Sequence, residues 1–114
     1  MANSFKSKTD TAIGTSAATL YTCPSSTQST IIGLTVANIV SAQIVIDVQL
    51  DASGRTAGAQ DSVYIIKDAP IPVGSSLIVV GGEQKVVMEP GDTLKITSDT
   101  ASSADAIASL LEIT

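Results

Sequence analysis

The sequence predicts an all-β protein, either an antiparallel β-sandwich or a jelly-roll-like barrel of about eight strands. Three observations support this: short segments rich in β-branched residues, alternation of apolar and polar residues with period two, and turn-forming residues between the segments. Helical patterning is weak, because the alanine-rich stretch 98–111 is interspersed with residues that favour strands. The predicted strands are residues 17–23, 30–37, 43–50, 62–67, 77–80, 85–88, 93–97 and 107–113.

The clearest alternation lies in the third and seventh of these segments. In the third, the residues on one face are Ile44, Ile46, Val48 and Leu50, which is typical of a half-buried strand. In the seventh, Leu94 and Ile96 are predicted to point inward. The core is predicted to be aliphatic, because the chain has one Phe, two Tyr and no Trp. We expect Tyr21 and Tyr64 to lie on strands with their hydroxyls at the rim of the core.

Proline and glycine mark the ends of several strands. Pro70 and Pro72 cannot both lie in a central ladder because each lacks an N–H, so their segment is predicted to cross from one sheet to another. The tetrapeptide Glu89–Asp92 is a strong turn signal, with proline and glycine in its two central positions. The Gly81–Gly82 pair lacks the spacing of a phosphate-binding loop and is predicted to form a hairpin turn.

We divide the chain into a polar N-terminal arm, residues 1–16, and a β-sandwich domain, residues 17–114. The arm is rich in Ser, Thr and Lys, so it is a frayed terminus, an irregular first strand, or a segment that lies over a neighbouring subunit. Phe5 and Ile13 are isolated apolar residues within it. We expect both to contact other subunits, together with Arg55, the lone arginine, which lies in a polar loop.

Residues suited to catalysis are scarce. The chain has no histidine and one cysteine, which excludes a Cys–His pair and a structural zinc site within the chain. We therefore expect no enzymatic activity, no cofactor and no metal, and we expect Cys23 to be a buried small apolar residue. A calcium site involving Asp51 and Asp61 stays open as an alternative.

The charge balance argues against several classes of partner. The net charge is −5, and 15% of residues are charged, against roughly 25% in an average globular protein. Without a cluster of basic residues, we expect no binding to nucleic acid or to anionic membranes. The N-terminus lacks the apolar region of a secretory signal, so synthesis in a cytoplasm is expected. A weakly charged surface suits a protein that packs against other subunits.

Two stretches, DAPIPVGSSL at 68–77 and EPGDTLKI at 89–96, carry a resemblance to a known group of proteins. Together with the order of the other segments over most of the chain, they resemble small virion structural proteins of tailed bacteriophages, especially phages of marine bacteria and cyanobacteria. Cys23 departs from this pattern, because an aliphatic residue such as Val is expected there. Both stretches are structural, so the resemblance implies a part of the particle without naming a functional residue.

The resemblance implies a non-enzymatic virion protein that is made in the cytoplasm of the host bacterium. We expect a capsid decoration or cement subunit that binds other virion proteins, above all the major capsid protein, and that self-associates, with a trimer as the expected symmetry. Many weak contacts would then add up and stabilise the shell. Two alternatives stay open: a tail, neck or baseplate accessory protein of the same virion, and a carbohydrate- or cell-surface-binding β module.

Overall fold

The computed structural model describes residues 2–55 and 58–114, and this part of the chain forms a β-sandwich of nine strands. The strands are β1 (Asn3–Ile13), β2 (Ala18–Thr22), β3 (Gln28–Asn38), β4 (Ile44–Asp51), β5 (Val63–Ile71), β6 (Ser76–Val80), β7 (Val86–Met88), β8 (Thr93–Ser98) and β9 (Ala104–Ile113). The predicted all-β class is confirmed. The eight predicted strands correspond to β2 through β9.

The strands form two antiparallel sheets, which we call sheet A and sheet B. Sheet A has the order β1-β9-β3-β6, and β7 pairs with β3 beyond the end of β6. Sheet B has the order β2-β8-β4-β5. The long pairing of β3 with β9 runs from Gln28 opposite Ile113 to Asn38 opposite Ala104 and forms the centre of sheet A.

The core lies between the sheets and is built from alternate residues of each strand. As predicted, Ile44, Ile46 and Val48 of β4 are fully buried, and so are Leu94 and Ile96 of β8. Burying an aliphatic side chain of this size contributes about 1.5–3 kcal/mol. The alternation in the sequence therefore corresponds to the two sides of sheet B.

The segments around Pro70–Pro72 and around Pro90 carry the chain between sheets. Pro70 lies in β5 of sheet B, and Pro72 begins the turn that leads to β6 of sheet A, so the predicted crossing is confirmed. The Glu89–Asp92 turn leads from β7 of sheet A to β8 of sheet B. In this turn the N–H of Asp92 donates to the carbonyl of Glu89 at 3.0 Å, and Gly91 has a φ of 92°, as its position in the turn predicts.

The N-terminal segment is a strand, one of the alternatives stated for it, and it belongs to the sandwich rather than to a separate arm. Residues 3–13 form β1, which pairs with β9 from Asn3 opposite Ile113 to Asp10 opposite Ala106, with an irregularity before Ile13. Most of its side chains are exposed because β1 is an edge strand of sheet A. Its sequence therefore lacks the apolar alternation that marks the other strands.

The predicted hairpin at the Gly81–Gly82 pair is wrong. β6 and β7 both pair antiparallel with β3, β6 along residues 34–37 and β7 along residues 29–31. The two strands therefore run in the same direction. The intervening turn, in which Gln84 N–H donates to the Gly81 carbonyl at 3.2 Å, interrupts one edge of sheet A without reversing the chain.

Candidate interaction surface

The outer surface of sheet A is nearly free of formal charge, and we call it the neutral face. The strand register sets two rows of side chains across it: Phe5, Leu111, Thr30 and Val87 in one row, and Thr9, Ile107, Thr35 and Ile78 in the other. Large apolar residues are exposed here. The exposed fraction is 79% for Phe5, 69% for Ile78, 56% for Val87 and 47% for Ile107. Among the paired residues that the register assigns to this face, Asp105 alone is charged.

Two shallow depressions accompany the rows. One of about 300 Å³ is lined by residues that include Phe5, Ser7, Ile32 and Ser109. The other, of about 440 Å³, has a lining that includes Thr9, Thr35, Ile107 and Asp105. The linings also include Lys6 in the first depression and Asp10 in the second, so the hollows combine hydroxyl and aliphatic groups with a few charged ones.

The outer surface of sheet B has a different character because it carries ion pairs. Lys67 Nζ lies 3.6 Å from an Asp47 carboxylate oxygen and 4.6 Å from the centre of the Tyr64 ring. Lys95 Nζ lies 2.8 Å from an Asp51 oxygen, and this hydrogen bond lowers the pKa of Asp51. Charged pairs at a surface favour contact with water, so the two outer surfaces differ in what they can pack against.

The sheet edges each carry a feature that opposes the pairing of a further strand. On β1, Lys6 and Lys8 are on the inward side of the strand, since they pair opposite the buried residues of β9. β5 contains Pro70, which lacks an N–H, and Asp68, which has a φ of 54°. β2 has five residues, and the turn after β6 divides the remaining edge. Such features protect natural sheets from edge-to-edge association.

The three residues expected to contact other subunits lie in different environments. Phe5 is on the neutral face, whereas Ile13 is 3% exposed and belongs to the core, so Ile13 is not available to a neighbour. Arg55 binds within the chain: its Nε donates to Asp92 Oδ1 at 3.0 Å and its Nη2 to Asp92 Oδ2 at 2.6 Å. Asp92 is fully buried and requires such a partner, which explains the position of Arg55.

A buried polar cluster lies between the sheets near the β1 edge. The Tyr21 hydroxyl donates to Glu112 Oε2 at 2.6 Å and shares a second hydrogen bond with Ser29 Oγ at 2.6 Å. Lys6 Nζ lies 3.2 Å from the other oxygen of Glu112. Burial raises the pKa of Tyr21, and the hydrogen bond from Tyr21 lowers the pKa of Glu112. The hydroxyl of Tyr21 is thus inside the sandwich, contrary to prediction, whereas Tyr64 is exposed.

Cys23 adjoins this cluster and is buried, as predicted. Its Sγ lies 3.2 Å from the Thr27 carbonyl oxygen and 3.4 Å from Ser29 Oγ. Burial raises the pKa of the Cys23 thiol. Because the thiolate is the nucleophilic form, the geometry favours an unreactive thiol.

Asp51, one of the two residues of the calcium alternative, is bound by hydrogen-bond donors of this chain. Asp51 Oδ1 accepts hydrogen bonds from the Ser53 N–H, the Ser53 hydroxyl and the Ser62 hydroxyl, and its other oxygen faces Lys95. Within residues 2–55 and 58–114, no group of three or more Cys, Asp and Glu side chains is placed to hold a metal ion. In the same part of the chain, no helix has the length and apolar character to cross a membrane.

No known protein family and no curated protein matches this sequence. Among solved structures, a protein described as part of a novel family of disulfide-linked pili, the Bacillus endospore appendages, is similar in fold. The TM-score is 0.54 at 16% sequence identity, and the match covers 99% of this chain and 87% of that chain. At this identity the likeness concerns the β-sandwich alone.

Proposed function

We propose that this chain is a non-enzymatic structural subunit of a bacteriophage virion, a decoration or cement protein of the capsid. The observation that carries the proposal is the contrast between the neutral face and the ion-paired surface of sheet B. Removing the exposed side chains of Phe5, Ile78 and Ile107 from water lowers the free energy. Covering the neutral face also costs little, because few charged groups on it lose their hydration. The proposed contact with other virion proteins is therefore made through the neutral face.

The size of the surface suits weak individual contacts. Covering an apolar patch of about 300 Å² contributes about 7.5 kcal/mol at ~25 cal/mol per Å². Lost translational and rotational freedom opposes association by an amount of similar size. A single subunit would then bind weakly, whereas a shell that offers many equivalent positions would be covered and stabilised through multivalency and mass action.

The virion setting is supported by the resemblance of the 68–77 and 89–96 stretches to phage structural proteins. In the fold these stretches are two of the places where the chain crosses between sheets around proline-containing turns. These stretches support the assignment to phage structural proteins. The proposed contacts with other virion proteins are made by the neutral face instead.

A second candidate is a subunit of a non-covalent filament, favoured by the fold likeness to the endospore appendage protein. That protein belongs to disulfide-linked pili. Here Cys23 is the lone cysteine and is buried, and one cysteine per chain can join at most two chains. A filament of this chain would therefore depend on surface packing.

The proposal is tested by adding the purified chain to phage capsids that lack it. We expect saturable binding at a copy number comparable to that of the major capsid protein, and a higher temperature of shell disassembly. Ile107→Glu, which adds a charge to the neutral face, should abolish binding. Val63→Glu, which adds the same charge to an exposed position on β5, should not.

Absence of binding by the unmodified chain would contradict the proposal. Regular filaments of the chain alone in electron micrographs would favour the second candidate. A copy number far below that of the capsid protein would instead indicate a tail, neck or baseplate position.

A further inference from the structure

We infer that the neutral face binds a second copy of this chain in a two-fold, face-to-face contact. The inference rests on the proposed function in taking the neutral face as a contact surface. In the free protein a second copy covers this face, and on the capsid a virion protein takes the place of that copy. Four observations support it: charge, area, shape and the state of the sheet edges.

The charge distribution favours a second copy at this face over any other face. Each chain has a net charge of −5, so two copies repel one another unless they meet where charge is lacking. Asp105 lies at one end of the neutral face, at the start of β9. A two-fold axis that passes near Ser109, in the plane of the contact and perpendicular to β9, sets the two Asp105 residues at opposite ends, roughly 26 Å apart along the strands. At that separation, salt screens most of their repulsion.

The area of the neutral face is close to what a stable dimer requires. Sheet A is four strands wide, and β9 contributes ten residues. At ~4.8 Å between strands and ~3.3 Å per residue, the face measures about 19 by 33 Å, or roughly 600 Å². A standard interface buries about 800 Å² per partner. Sheets pack face to face at about 10 Å, a distance that apolar and threonine side chains fill.

The shape is self-complementary in the way that a two-fold contact requires. Phe5 and Ile78 protrude near opposite edges of sheet A. One depression is lined in part by Ile107, and the other in part by Phe5. In an isologous contact each copy offers both protrusions and hollows, so every contact occurs twice. Pairing through the β1 edge would instead bring Lys6 and Lys8 of two copies together, which disfavours that arrangement.

Sedimentation equilibrium of the intact chain over a wide concentration range tests the inference. The chain mass is 11.5 kDa, and we expect a concentration-dependent increase to twice that value. Ile107→Glu should weaken dimerisation by about 100-fold or more, because it buries a carboxylate on each side of the contact. Val63→Glu changes the charge equally at a residue of matched exposure and should leave the dissociation constant within about threefold. Circular dichroism of both variants checks that the fold is kept.

A cross-linking experiment tests the geometry without disturbing apolar contacts. Ser109→Cys, at the centre of the neutral face, should form covalent dimers with a short bismaleimide, whereas Gln49→Cys on sheet B should not. A monomer at all concentrations, a trimer, or equal cross-linking of both variants would overturn the inference. If a strictly monomeric chain still coated capsids, the inference alone would fail and the proposed function would stand.

Discussion

Removing the Tyr21 hydroxyl tests whether the buried polar cluster holds the two sheets together. Tyr21 belongs to β2 of sheet B, and Ser29 and Glu112 belong to β3 and β9 of sheet A. Its hydroxyl therefore joins the sheets through the interior by two hydrogen bonds of 2.6 Å. Tyr21→Phe keeps the ring and its packing and deletes these two bonds.

The expected loss of unfolding free energy is about 2–3 kcal/mol. A hydrogen bond to a charged group contributes about 1.5–3 kcal/mol, and a neutral one about 0.5–1.5 kcal/mol. Lys6 remains 3.2 Å from Glu112, so the carboxylate keeps one partner and the loss stays below the sum of the upper values. With an unfolding entropy of ~2.1 cal/mol/K per residue over 114 residues, the melting temperature should fall by roughly 8–12 °C.

Equilibrium urea unfolding at pH 7 and fixed protein concentration measures this loss. The matched control is Tyr64→Phe, since Tyr64 is exposed on sheet B, and its effect should stay within about 0.5 kcal/mol. Combining Tyr21→Phe with Glu112→Gln should show a coupling energy of about 1 kcal/mol or more. If Tyr21→Phe and Tyr64→Phe had equal effects, or if the coupling were absent, the cluster would not stabilise the sandwich.

Three further predictions concern turns, the thiol and pH. Gly91→Ala should be far more destabilising than Gly74→Ala in thermal unfolding, because a Cβ at 91 would lie 2.1 Å from the Gly54 carbonyl oxygen, whereas one at 74 meets nothing within 4 Å; equal losses would contradict this. Cys23 should react with a thiol reagent at least ~100-fold more slowly in the native protein than in urea, and comparable rates would show that its burial is transient. The pKa of Glu112 is lowered by folding, so its stabilisation is present above its ordinary pKa of 4.5 and is lost as pH falls through the lower folded value. Melting temperatures from pH 7 to pH 3 should therefore fall less steeply for Glu112→Gln, and parallel curves would refute this.

Local patterns explain why the strands could be predicted. Ile44, Ile46 and Val48 alternate with less apolar residues, and the Glu89–Asp92 turn carries residues whose backbone preferences define it. These signals act within a few residues, so they can be read without knowledge of the partner strands. β1 has no such signal, because its position depends on pairing with β9 at the other end of the chain.

The neutral face could be predicted only in part. The sequence shows that Ile107, Ser109 and Leu111 share one side of β9, yet the structure turns this side outward and buries the alanine side instead. A period-two pattern does not state which side meets the other sheet when both sides carry apolar residues. Ile78 and Val87 were missed for the same reason. Arg55 was wrongly expected at a subunit contact, because its buried partner Asp92 lies 37 residues further along the chain and no local pattern indicates that the two residues pair.

The sequence by itself determined the all-β class, eight of the strands, the crossing segments and the burial of Cys23, because each depends on local alternation, turn residues or composition. The tertiary structure alone decided that residues 3–13 join sheet A, that Tyr21 and Glu112 meet in the interior, and that the apolar rows of sheet A face outward. These features arise from pairings between residues far apart in the chain. Such pairings depend on which strands become neighbours, and no short stretch of sequence contains that information.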